Sequence, residues 1–243
     1  MAMRTAPPTQ TVKTEPMSFR LTENYFALRG KQLPPVDESL LYERVVGSTG
    51  TFVRSRKAGL EACVPVALYE MHGLKTVEPY VQWGYPKVPE QLVELMLQVS
   101  LVRSRTELKE ALFHLSFGDT HFRQCIEPAF GPPLLSRGWH LECPDQRATD
   151  DEVKPLHQGQ GSSEARAIIE VHSHHAGEAR FSEKDDADEG GPTFRIYAVI
   201  GTIFKRPTIR ARVGLFGHFM EYPASEFFEL PEGLTDCLLQ EQS

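Results

Sequence analysis

The chain has 243 residues, a formal net charge of -7 at pH 7 and a hydrophobic share of 40%. This length can bury a sizeable core, either as one elaborated domain or as two small ones. It contains no apolar run near the ~20 residues that a bilayer helix requires, so we expect no membrane partner. Its acidic balance does not favour binding to nucleic acid, which needs clustered Lys and Arg, so we expect no nucleic-acid partner either.

Two features of the sequence favour a cytoplasmic location. The first 16 residues, MAMRTAPPTQTVKTEP, lack the apolar middle of a signal peptide and are typical of a disordered leader. The four cysteines are scattered without metal-ligand spacing, which predicts free thiols in a reducing compartment. They are Cys63, Cys125, Cys143 and Cys237.

Residues 17–79 consist of short apolar runs broken by turns, a pattern that predicts a small β-rich module. No catalytic motif occurs in this stretch, so a structural role and a partner-binding role both stay open. We expect a boundary near Tyr80 and a second domain over residues 80–243.

The second domain is predicted to be mixed α/β, because helical and strand patterns alternate along it. Pro89 suits the first position of a helix, and apolar residues then recur at helical spacing. They are Leu92, Leu95, Met96, Val99 and Val102. A strand over residues 111–117 follows, and the clearest later strands are TFRIYAVIGTIF and TIRARVGLFG.

The stretch FKRPTIRAR is the most basic in the chain. Its arginines, Arg210 and Arg212, alternate with apolar residues, which predicts an amphipathic strand with a solvated polar face. Docking of an acidic partner onto these arginines is the alternative.

The run AIIEV leads into three histidines and is rich in β-branched residues, so it predicts a buried strand. Residues two apart on a strand share a face, so His172 and His174 can converge on one ion while His175 faces away. Imidazole is a standard zinc ligand, and a carboxylate such as Asp185 is the expected third ligand. Ser182 can cap a short helical turn that carries this aspartate. A solvated polar loop is the alternative interpretation.

The full pattern is His-x-His, seven residues, then Ser-x-x-Asp. It resembles the JAMM motif of the JAB/MPN family of zinc proteases. The resemblance implies a deaminase-like mixed sheet flanked by helices, with zinc held by His172, His174 and Asp185 and the oxyanion stabilised by Ser182. His175 stands where many members have proline, which should alter the exit of the strand without removing a ligand.

The resemblance also implies an upstream glutamate that takes a proton from the attacking water and passes it to the leaving amine. Glu110 stands at that place, 62 residues before His172 (172 - 110 = 62). Phe113 stands where many members have glycine, so Glu107 is kept as the reserve candidate. A solvated residue at a helix end is the alternative role for Glu110.

The strings EVHSHH, FSEKDDADEGG, IYAVIG and RVGLFGHF look more narrowly like the protein A family of the bacterial PRTRC cassette. This implies two partners, a ubiquitin-like protein and a ThiF-like activating enzyme, and an isopeptidase that processes or deconjugates the former. The tail of that protein would lie along a sheet edge, and the loop at residues 127–138 is either a clamp or an ordinary surface connection. The competing functions are a non-catalytic scaffold and an amide hydrolase acting on a small or sulfur-carrier substrate.

Overall fold

The computed structural model describes residues 20–118, 134–149, 152–158, 161–174 and 176–241. The leader, Cys125, His175 and most of the loop at residues 127–138 lie outside these ranges. Within them, no helix is long and apolar enough to cross a membrane. The other three cysteines, Cys63, Cys143 and Cys237, are free thiols, as the sequence predicts.

The N-terminal part of the chain forms a five-stranded sheet in sequence order. Its strands are β1 (Thr22–Phe26), β2 (Tyr42–Gly47), β3 (Gly50–Lys57), β4 (Leu60–Leu68) and β5 (Tyr80–Trp83). Only β1 and β2 run parallel, and the other neighbours are antiparallel. Because β5 pairs with β4, the strand that begins at Tyr80 completes this sheet.

The helix predicted after Pro89 is α1 (Glu90–Thr106). Pro89 is its N-cap residue with extended backbone, so the prediction that it occupies the first helical position is wrong by one residue. Leu92 and Met96 on the predicted stripe are fully buried, whereas Val102 is 55% exposed because the stripe leaves the core in the last turn.

A second sheet contains eight strands: β6 (Leu112–Phe117), β7 (Leu134–Ser136), β8 (Trp139–Glu142), β11 (Ile169–Ser173), β12 (Phe194–Gly201), β13 (Thr208–Leu215), β14 (His218–Tyr222) and β15 (Thr235–Asp236). Their order across the sheet is β14-β13-β12-β11-β6-β8-β7, with β15 beside β13. A separate hairpin pairs β9 (Gln146–Ala148) with β10 (Val153–Pro155). The short helices are α2 (Ser163–Arg166), α3 (Glu183–Glu189), a 3-10 turn (Ala224–Glu226) and α4 (Cys237–Glu241).

The second sheet is mixed, since β11 pairs in parallel with β12, whereas β6 is antiparallel to β11 and β13 is antiparallel to β12. The predicted mixed α/β fold class is therefore confirmed. One hydrophobic cluster includes Val53 and Val64 of the first sheet together with Met96 of α1 and Ile196 of β12. The two sheets thus share buried apolar surface, and the division into two domains stays a prediction.

The arginine face of β13 differs from the prediction of a solvated face. Arg212 is only 4% exposed, and Arg210 binds Glu221 at 2.6 Å as well as Glu241. The reason is that α3 and the segment before it lie against this face. The alternation of apolar and basic residues identified the strand, but it could not show that part of the chain itself covers the arginines.

Candidate metal centre

The centre is built at the carboxyl end of β11, the strand that carries the histidines. Ile169 and Val171 are fully buried, and β11 lies between β6 and β12. Since β11 and β12 run parallel, the chain must cross over before it enters β12, and this crossover carries α3. The start of α3 therefore returns to the end of β11.

Three side chains converge here, as the spacing of the motif suggests. His172 Nε2 lies 3.3 Å from His174 Nε2 and 3.4 Å from Asp185 Oδ1. Two ligand atoms about 2.0 Å from one ion at the tetrahedral angle lie about 3.3 Å apart. These two separations are those that one zinc ion requires. The third, from His174 Nε2 to Asp185 Oδ2, is longer at 4.0 Å, and the three groups offer ligand atoms that all lie within 4.8 Å of one another.

The hydrogen bonding of His174 determines which of its ring nitrogens can bind a metal ion at the centre. The Nδ1–H group donates to the carbonyl oxygen of Glu178 at 2.7 Å, so a neutral imidazole keeps its lone pair on Nε2. This is the usual outer contact of a metal-binding histidine, and it fixes both the tautomer and the ring orientation.

His172 is held in the neutral form by its surroundings. Burial lowers the pKa of His172 to about 4, although the Asp185 carboxylate partly offsets this effect. At neutral pH the imidazole therefore has a free lone pair for a cation.

The position of Glu178 depends on a close approach of two backbone segments. Gly201 ends β12, and a Cβ atom there would lie 2.1 Å from the Ala179 nitrogen and 2.3 Å from the Glu178 carbonyl carbon. The Thr202 N–H group also donates to the Gly177 oxygen at 2.7 Å. Only glycine fits at position 201, and sequence reasoning missed its role.

Ser182 caps α3, as predicted from the sequence. The Ser182 hydroxyl and N–H group each donate to Asp185 Oδ2 at 2.7 Å, and the Asp185 N–H group donates back to the hydroxyl at 3.2 Å. Burial opposes ionisation of Asp185, but the interaction with His172 and the hydrogen bonds from Ser182 hold the pKa of this carboxyl below its usual value. The hydroxyl points at the aspartate, whereas the sequence predicted that it faces a substrate.

Glu110 is brought to the same place by the pairing of β6 with β11. Leu112 lies opposite His172 in the register, and the Ala111 N–H group donates to the Ser173 hydroxyl at 3.0 Å. Glu110 is 5% exposed and lines a cavity of about 40 Å³ together with His172 and Asp185. This volume is enough for a water molecule, which needs about 10–15 Å³.

Glu107, the reserve candidate, lies elsewhere. It is the C-cap residue of α1, its side chain is 42% exposed, and its carboxylate binds Lys109 at 3.3 Å. It does not line the cavity beside His172. Of the two candidates, Glu110 is therefore the one that lines the cavity at this centre, together with Glu152, Glu170 and Glu189.

Comparison with known proteins gives one family match. A model for prokaryotic homologs of the JAB domain matches residues 119–213. This range includes His172, His174, Ser182 and Asp185 but not Glu110. The match covers less than half of the chain and supports a relationship to the JAB/MPN family, and the mixed sheets with few helices are those of a JAB/MPN-like α+β fold. A search of curated proteins found no match.

Proposed function

We propose that this chain is a zinc-dependent hydrolase of the JAMM type that cleaves an amide or isopeptide bond. The main support is the convergence of His172, His174 and Asp185 beside a cavity that Glu110 also lines. A non-catalytic scaffold of the same fold needs neither facing ligand atoms nor a buried carboxylate next to them. The complete set therefore favours an enzyme.

The metal would be held by His172, His174 and Asp185, and when bound it would bring the pKa of a water molecule to about 7 and polarise the scissile carbonyl. Glu110 would take the proton of the attacking water and deliver it to the nitrogen of the leaving amine. General acid–base catalysis of this kind contributes about 10²–10⁴ in rate. The burial of Glu110 keeps bulk water away from the transferred proton.

Ser182 would stabilise the oxyanion of the tetrahedral intermediate after a rotation of its side chain. The hydroxyl would then leave Asp185, while the Ser182 N–H group would keep its own 2.7 Å hydrogen bond to the same carboxylate oxygen. The aspartate would therefore stay oriented during the reaction. Loss of one such donor typically costs about 10²–10³ in rate.

The size of the cavity favours a protein substrate over a small one. Sites that enclose small molecules measure about 300–1,000 Å³, whereas this cavity has about 40 Å³. Most of a substrate would therefore lie outside it, as an extended chain does. Val153 of β10 also lines the cavity, so a tail lying along β10 would reach the centre.

The substrate we propose is the ubiquitin-like protein of a PRTRC cassette, with the ThiF-like activating enzyme of the same cassette as second partner. Support comes from the resemblance of EVHSHH and its flanking strings to that family. The chain would remove residues that follow the C-terminus of the ubiquitin-like protein, or release the protein from a lysine to which it is joined.

The direct test uses the cassette's ubiquitin-like protein with a C-terminal extension. We expect the zinc-loaded chain to release the extension, a chelator to stop the reaction, and added zinc to restore it, as measured by mass spectrometry of the products. The unextended protein is the control and should keep its mass. Absence of cleavage by the zinc-loaded chain, or cleavage that survives the chelator, would contradict the proposal.

A further inference from the structure

Arg212 is a buried cation on β13 that contacts residues beside the candidate metal centre. The Nε and Nη2 groups donate to Glu189 Oε2 at 2.9 and 2.7 Å, and the Nη1 group donates to Asp186 Oδ1 at 2.5 Å. Both carboxylates belong to α3. One arginine on the sheet is thus bonded to the helix that carries Asp185.

The plane of the same guanidinium is held between two aromatic rings. The Cζ atom lies 3.9 Å from the centre of the Phe181 ring and 3.8 Å from that of Phe219. Phe181 in turn packs edge-on against His172, with ring centres 6.4 Å apart. The arginine therefore also contacts the aromatic residue that lies beside the first histidine.

The residues that Arg212 contacts lie, along the chain, on both sides of the capping box formed by Ser182 and Asp185. Phe181 directly precedes Ser182, and Asp186 directly follows Asp185. The helix has only seven residues, and an isolated helix of this length is not stable in water. Its position must therefore come from tertiary contacts. The contact of Arg212 with Glu189 is buried, and its contact with Asp186, whose side chain is 53% exposed, lies next to the aspartate.

We propose that Arg212 is a positioning residue for the metal centre, which fixes α3 on the sheet so that Asp185 faces His172 and His174. This inference rests on the proposed function, because it assigns the arginine a role in metal binding. Arginine suits the role because its planar group binds carboxylates in its plane and stacks on rings with its faces, which lysine cannot do.

A role in stability alone would have a different consequence. Replacing a buried ion pair by uncharged residues of similar size often changes stability little, whereas leaving one partner charged and alone is damaging. The informative variant is therefore Arg212→Met combined with Glu189→Gln, which removes the pair without leaving Glu189 as a buried unpaired carboxylate. If Arg212 only stabilises the fold, this double variant should bind zinc as the wild type does once it is folded.

We expect the double variant to fold and to bind zinc about 10-fold more weakly, the lower end of the 10- to 100-fold cost of losing a group bonded directly to a metal ligand, because Arg212 acts on Asp185 through neighbouring residues of α3. The dissociation constant is measured by competition with a chromophoric chelator, and the absorption bands of bound Co²⁺ should change. The matched control is Arg54→Met with Glu43→Gln, which removes a buried ion pair of 2.5 Å in the first sheet. This control should keep the zinc affinity and the cobalt spectrum of the wild type.

If the double variant does not fold, a second pair of variants tests the positioning role of Arg212. Asp186→Ala removes one Arg212 contact from α3, whereas Glu183→Ala removes the same charge from the same helix at an exposed position that Arg212 does not bond. We expect the Asp186 variant to bind zinc more weakly than the Glu183 variant. Equal zinc affinities within this pair, or wild-type affinity and cobalt spectrum in a folded double variant, would overturn the role of Arg212. A wild-type chain that binds no zinc would instead refute the proposed function, and the positioning role with it.

Discussion

Replacement of Glu110 by glutamine is expected to leave zinc bound and to lower the rate of hydrolysis by about 10²–10⁴. Glutamine keeps nearly the same shape but cannot take a proton from water. Glu110 is 5% exposed and lines the cavity beside His172, while it is not among the three converging ligands. The measurement pairs zinc content with the initial rate of cleavage of the extended ubiquitin-like protein.

Glu107→Gln is the matched control for this prediction, because it makes the same substitution three residues earlier. Its carboxylate is half exposed and bound to Lys109, so the variant should keep both zinc and activity. Full activity of the Glu110 variant together with loss in the Glu107 variant would reverse the assignment of the base. Loss of zinc from the Glu110 variant would show that this residue supports metal binding.

Replacement of His174 by alanine is expected to weaken zinc binding by more than the 10- to 100-fold that outer contacts typically cost, since it removes a ligand. His174 suits this test because, unlike Asp185, it does not take part in the capping box of α3. Its Nε2 atom lies 3.3 Å from that of His172. The variant should therefore fold normally, lose zinc on dialysis and lose zinc-dependent hydrolysis.

His157→Ala is the control for the His174 variant. The side chain of His157 is 79% exposed and lies near Asp145, outside the metal cluster of the described residues. Zinc content after dialysis, measured by atomic emission, should match the wild type in this control. Equal zinc retention by the two variants would exclude His174 as a ligand.

The sequence predicted the local parts of the centre well, because those parts depend on neighbouring residues. The β-branched run before His172 indicates a buried strand, and Ser182 three residues before Asp185 indicates a helix cap. The structure contains both, as β11 and as the start of α3. The residue pattern and the spacing of residues in the sequence are sufficient to predict a short strand and a helix cap.

The long-range parts of the centre could not be predicted from local pattern. Glu110 joins the centre because β6 pairs with β11 in a register that sets Leu112 opposite His172, and its selection from the sequence depended on family resemblance. The burial of Arg212 depends on α3 folding back onto β13. The sequence contained one indication of this contact. Asp186 and Glu189 are three residues apart, so they lie on the same face of a helix and can both bind an arginine of a neighbouring strand.

The central claim is that two imidazoles and one carboxylate hold a single zinc ion, and X-ray absorption at the zinc edge tests it most directly. For the wild-type chain loaded with one equivalent of zinc, we predict a first shell of nitrogen and oxygen atoms at about 2.0–2.1 Å with the multiple-scattering features of imidazole. A chain that retains no zinc, or a first shell containing sulfur at about 2.3 Å from cysteine ligands, would contradict this account.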